Sequence, residues 1–185
     1  MDEDRVKKLI RELIIEIGED PTREGLKDTP RRIASAYKEI FAGYDSDSEL
    51  SVQFSEDSET VVVRDIQFYS MCEHHMLPFY GKIMLAYSPN GRVFGISKLV
   101  RLVEKHSKRL QIQERMTKNI ADELYSRGAK GVAVIAEAEH LCMKMRGVRN
   151  DANVISAAFR GIFETKEEKA NIIKLIKNPS KTSFI

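Results

Sequence analysis

Apolar side chains at Val6, Leu9, Ile10, Leu13, Ile14 and Ile17 recur at the three- and four-residue spacing of one helix face, so the first segment reads as an amphipathic helix. Gly18 is its stop, because glycine reaches left-handed backbone without a steric penalty. Thr29-Pro30 supplies an N-cap hydroxyl and a proline at the first helical position. Ile33, Ala36, Tyr37, Ile40 and Phe41 continue as a second stripe, closed by Gly43. The stretch from Tyr44 to Ser58 is rich in Ser, Asp and Glu and reads as a loop.

The period then changes from helical to strand-like. A β-branched run opens at Thr60 and continues through Ile66, Phe68 and Tyr69. Lys82 to Ser88 and Arg92 to Ile96 flank Pro89-Asn90-Gly91, where Asn-Gly signals a hairpin. Two helices follow, Lys98–Lys108 and Ile112–Ser126, the second ended by Gly128. Gly131 to His140 is a further strand, Asn153 to Phe163 a weaker one, and Thr165 to Lys177 a final helix. Helices come in pairs between antiparallel strands instead of one after every strand. That pattern predicts the α+β class, with an antiparallel sheet backed by helices, and argues against a doubly wound sheet.

At 185 residues and 42% hydrophobic content the chain supports one well-buried core. The expected division is residues 1–58 as an N-terminal helical segment and loop, and 59–185 as a single catalytic domain. Lys and Arg exceed Asp and Glu by 30 to 28, without the clustered basic excess of a nucleic-acid-binding protein, so no nucleic-acid partner is expected. No apolar run approaches the roughly 20 residues that span a bilayer. The acidic start Met1-Asp2-Glu3-Asp4 lacks the order of a secretory signal, and a cytoplasmic location is expected. In a reducing compartment the two cysteines, Cys72 and Cys142, are free thiols or metal ligands.

Those cysteines define the chemistry. Cys72-Glu73-His74-His75 and His140-Leu141-Cys142 hold both cysteines and three of the four histidines. A strand ending in a turn lets Cys72 and His75 chelate one ion, and residues two apart on a strand let His140 and Cys142 face one cavity. Thiolate and imidazole suit Zn2+, with Fe2+ as the alternative ion. Cys72, His75 and Cys142 make three bonds and leave a fourth position for water, the mark of a catalytic site. His74 and His140 then stand beside the metal as acid–base groups. A closed structural site, with His74 or His140 as fourth ligand, is the rival on spacing alone. A second group comprises Ser97, Lys98, Arg101, Gln113, Glu114, Arg115, Lys144 and Arg146. Its cations can hold a polyphosphate, and Glu114 can accept from the N1–H and amine of guanine. No Gly-rich phosphate loop is present.

Four stretches, in order, resemble the GTP cyclohydrolase I family: Ser70-Met71-Cys72-Glu73-His74-His75-Met76-Leu77-Pro78-Phe79, Gly95 to Arg101, Arg109 to Arg115, and His140 to Val148. Gly18 to Pro21 and Thr29 to Ile33 resemble its N-terminal segment. The resemblance implies a tunnelling fold and hydrolytic opening of the guanine ring of GTP. Formate is released and 7,8-dihydroneopterin triphosphate formed, the first step of tetrahydrofolate and pterin biosynthesis. It implies zinc on Cys72, His75 and Cys142, catalytic His74, His140 and Ser97, and guanine recognition by Glu114 with Gln113. It places Lys98, Arg101, Lys144 and Arg146 at the ribose and triphosphate, with Arg32 reaching a neighbouring subunit's triphosphate. It also implies a homodecamer of two pentameric rings. The chain departs from the pattern at Asn150 to Ala158, usually Ser/Thr-rich, and at Glu139, where Thr is common. Two other readings remain: a nitrile reductase of deazaguanine metabolism on the same fold, and a zinc-stabilised nucleotide-binding protein.

Overall fold

The computed structural model describes residues 1–45, 53–56 and 58–177. Helix α1 (Glu3–Glu16) starts on Asp2, whose carboxylate accepts the Arg5 N–H at 3.0 Å, and carries Glu3 and Asp4 in its first turn, where the helix dipole favours negative charge. Gly18 turns the chain away at φ +89°. Helix α2 (Thr29–Ile40) packs on α1, with Ile14 and Ala34 buried and Lys38 paired to Glu3.

The cap of α2 differs from expectation. Asp28 is the N-cap, Thr29 and Pro30 are already helical, and the Thr29 hydroxyl reaches back to the Gly25 carbonyl at 3.5 Å. The Asp28 carboxylate pairs with Arg31 and Arg32 and makes no capping bond. The stripe on α1 is also only partly covered, since Leu9, Leu13 and Ile17 are exposed. Ala42–Tyr44 form a 3-10 turn that leads into the expected loop, and within that loop Gln53–Ser55 form a short strand, β1. Residues 46–52 and 57 lie outside the described residues.

The remaining elements are β2 (Val61–Cys72), β3 (Pro78–Ser88), β4 (Arg92–Phe94), α3 (Ile96–Ser107), β5 (Leu110–Gln111), α4 (Gln113–Ser126), β6 (Gly131–His140), α5 (Leu141–Lys144), β7 (Val154–Gly161) and α6 (Lys166–Lys177). The main sheet runs β5-β2-β3-β6-β7, antiparallel except that β5 lies parallel to β2. The α+β architecture is therefore the expected one. The hairpin partner is not. Asn90-Gly91 makes its turn, with Gly91 at φ +72°, but β4 pairs with β1 in a separate sheet. Both edges of β3 are already taken by β2 and β6. The Phe94 N–H donates to the Tyr87 hydroxyl at 2.9 Å, and the two rings pack edge to face, which carries β4 across the end of β3.

β3 also begins earlier than Lys82. The added residues include Gly81, which sits where a side chain would strike the Glu137 carbonyl of β6. Glycine is required by the ladder itself. Alternate residues of the sheet face two cores. Ile83, Leu85, Tyr87, Val132 and Val134 pack with Leu99, Leu102, Met116, Ile120 and Leu124 of α3 and α4. Ala86, Ala133 and Ile135 pack beneath Ile172 and Ile176 of α6. The fourth histidine, His106, is structural: it is buried, and its Nε2 lies 2.8 Å from Glu123, which also accepts from Lys105. No helix among the described residues is long and apolar enough to cross a membrane.

Candidate metal centre

β2 delivers Cys72 to the end of the sheet, nearly buried, and fixes it from two sides. Cys72 is paired with Gln111 of β5, and the Glu73 N–H donates to the Gln111 carbonyl at 3.0 Å. The chain then folds back at once. The Cys72 N–H donates to Leu77 O at 2.9 Å and the Met76 N–H to Cys72 O at 2.8 Å, with Met76 at φ +51°. This tight turn sets the Nδ1 atoms of His74 and His75 at 3.7 and 3.8 Å from the Cys72 sulfur.

Cys142 follows β6, which is separated from β2 by β3, and packs against the same core as Cys72. β6 ends at His140, and Cys142 stands on the four-residue helix α5, so the two do not share a strand face as expected. The change of backbone is what lets Cys142 swing toward β2. Ligand atoms of Cys72, His75 and Cys142 all lie within 4.8 Å of one another. Burial pushes the Cys142 thiol up, and the adjacent Cys72 adds to the shift. A buried thiol crowded against a second sulfur, as Cys142 is, resists ionising unless a cation compensates it. The donor set therefore fits a thiophilic divalent metal.

His74 approaches one sulfur only and stands outside the three-way cluster. His140 is also outside it. Its ring stacks on Phe79 with centroids 4.7 Å apart and planes 4° from parallel, and its Nε2 lies 2.8 Å from Gln113 Oε1. Burial pushes the His140 pKa down, opposed by the charge of Glu114. The metal turn is tied to α4 by Arg115, which donates two hydrogen bonds to Glu73 and holds that carboxyl below the usual range.

The other expected residues divide. Ser97, Lys98 and Arg101 line up on the first turns of α3, Ser97 and Arg101 being exposed. Glu114 is exposed on α4 and opens onto a cleft with Lys118 along β7. Arg146 is exposed just beyond α5, and its charge reaches Cys142. Gln113, by contrast, is 1% exposed, and its amide donates to Ala136 O and Val154 O, so it is consumed inside the protein. Lys144 is held by Glu139 at 2.6 Å and Asp151 at 3.5 Å. Arg32 is on the α1–α2 pair, beside Asp28. A second cleft, lined by Gln67, Tyr69, Tyr80, Glu137 and Glu139, is on the sheet face away from His140. The sequence assigned no role to Phe79 or Gln111 and grouped Arg115 with the phosphate-binding cations, whereas Arg115 is engaged by Glu73; all three have partners remote along the chain.

The profile of GTP cyclohydrolase I matches residues 6–177. A GTP cyclohydrolase 1 of Hyperthermus butylicus is 50% identical, covering 100% of this chain and 96% of the relative. One from Clostridium kluyveri is 50% identical over 96% of this chain and 99% of the relative. A solved archaeosine synthase QueF-like structure overlaps 57% of this chain and 97% of its own, with TM-score 0.49 and 15% identity. With a family match along nearly the whole chain and half of all positions shared with its relatives, this chain belongs to the GTP cyclohydrolase I family of enzymes.

Proposed function

We propose that this chain is a zinc-dependent GTP cyclohydrolase I that converts GTP to formate and 7,8-dihydroneopterin triphosphate. The observation that carries the reading is the convergence of Cys72, His75 and Cys142 within 4.8 Å, with His74 and His140 beside that cluster and outside it. Three protein ligands leave one position for exchange, as hydrolysis requires. When bound there, zinc supplies a Lewis acid that makes water nucleophilic near neutral pH.

The chain's own residues do the rest. Glu114 accepts from the N1–H and exocyclic amine of guanine and so orients the base. Lys98, Arg101 and Arg146 hold the triphosphate, and Arg32 of a neighbouring subunit completes that pocket. Gln113 and Lys144 are already engaged within the fold, which shifts base recognition onto Glu114 and phosphate binding onto the other cations. His74 donates a proton to N7 as water oxygen adds to C8; the C8–N9 bond breaks to a formamide. A second water releases C8 as formate. His140 and Ser97 serve ribose opening and the rearrangement, and closure of the pterin ring returns one water.

The assembly we propose is a decamer of two pentameric rings in the cytoplasm, with residues 1–58 as a helical appendage to a catalytic domain from 59 onward. Among the described residues the outer edge of β7 has no strand partner, which supports association through the sheet. The test is incubation of purified, zinc-loaded protein with GTP, followed by formate assay and fluorescence of the oxidised pterin. Absence of both products from metal-replete protein sinks the reading. Cobalt substitution gives a second check, since an absorption spectrum indifferent to added anions indicates four protein ligands and a closed, structural site.

A further inference from the structure

We infer that Gln113 is a positioning residue that fixes His140 as the Nε2–H tautomer and leaves the lone pair of the neutral ring on Nδ1. The inference rests on the proposed acid–base role of His140, but its structural half stands on hydrogen-bond logic alone.

A glutamine amide offers two N–H donors at one end and an acceptor at the other, and the surroundings decide which end is which. Around Gln113, two backbone carbonyls settle it. Ala136 O of β6 lies 3.0 Å and Val154 O of β7 lies 2.9 Å from Nε2. A flipped amide would set its oxygen against both of these acceptors, in a site where the residue is 1% exposed and water cannot compensate. Nitrogen therefore faces the strands, and Oε1 faces His140. Oε1 accepts only, so the His140 Nε2 at 2.8 Å must carry hydrogen. In the neutral ring the lone pair is then on Nδ1.

The ring is also held in orientation. Phe79 stacks on it almost parallel at 4.7 Å, and the Nε2 bond removes rotation within that plane. Nδ1 has no hydrogen-bond partner among the described residues and is not among their buried unsatisfied atoms, so it is open to an incoming group. The clamp spans the junction of three elements, because Gln113 begins α4 while its partners belong to β6 and β7. The Gln113 carbonyl holds the N–H already on Nε2, so a group that meets this ring meets it at Nδ1. Glutamate could not replace glutamine here, since its carboxylate would confront both backbone carbonyls.

The test is ring-nitrogen NMR on zinc-loaded protein without substrate, with His140→Gln identifying the resonances and separating them from His106. The expected spectrum shows Nε2 protonated and Nδ1 unprotonated in neutral His140. The Gln113→Met variant should show a mixed tautomer, with kcat falling by about tenfold or more and KM for GTP little changed. A wild-type ring protonated at Nδ1 overturns the inference. So does Gln113→Met with raised KM and undiminished kcat, the signature of a base-binding residue. If that variant does not fold, the wild-type spectrum decides alone. Either negative result leaves zinc binding and formate release untouched, so it is distinguishable from failure of the proposed function.

Discussion

Glu73 and Arg115 stand 42 positions apart and meet in a forked ion pair at the rim of the metal cluster. Glu73 lies between Cys72, a proposed zinc ligand, and the histidine pair, so this contact tethers the turn from Cys72 to Met76 to α4. Arg115→Met should keep the fold and weaken zinc binding by about tenfold, within the range typical of groups that support metal ligands. Arg115→Lys should recover only part of it, because an ammonium lacks the two-pronged geometry. Chelator competition measures the affinity and circular dichroism the fold; unchanged affinity in both variants would remove the tether from the account.

Cys142→Ala and His75→Ala should lose zinc and formate release together, since each removes one of the three proposed ligands. His74→Ala should retain zinc and lose ring opening. Metal analysis alongside the formate assay reads both. Zinc lost from His74→Ala would instead make His74 a fourth ligand.

Stability should fall on acidification in two windows. Burial pushes the His106 pKa down from its ordinary 6.5, partly offset by Glu123, with Lys105 and Arg109 adding to the depression. A depressed folded pKa means that the unfolded chain binds the proton more readily, so stability is complete above about 6.5 and declines below it. Burial pushes Glu123 up, but hydrogen bonds from Lys105 and His106 outweigh it and hold the carboxyl below 4.5, so a further loss follows below that value. Urea midpoints at constant protein concentration should show the first decline in the wild type and a smaller one in His106→Phe, where the likewise depressed His140 still contributes. A wild-type midpoint flat between pH 7.5 and about 5 would contradict this.

Gly81→Ala should destabilise the sheet by about 1–3 kcal/mol or more, because the added carbon meets the Glu137 carbonyl and backbone cannot step aside as a side chain can. A denaturant midpoint matching the wild type would show that β3 and β6 tolerate separation.

Short-range physics made much of this protein legible. Helices α1, α3 and α4 and strand β6 follow from periodicity, because burying one face of a regular element needs only local repetition. The Cys72 and His75 pair is likewise local, a chelate closed by one turn. Harder were features whose partner is remote. Asn90-Gly91 announces a turn, but which strand β4 joins depends on β2 and β6 having already occupied β3. Lys144 reads as a phosphate ligand until Glu139 and Asp151 meet it. Gln113 reads as a base-binding side chain until two carbonyls from separate strands claim its amide. Residue types and spacing settled which atoms could bind a metal, since that is a property of the side chains themselves. Packing alone decided which polar groups stay available for substrate, because hydrogen-bonding capacity is finite and folding assigns it through contacts between distant segments.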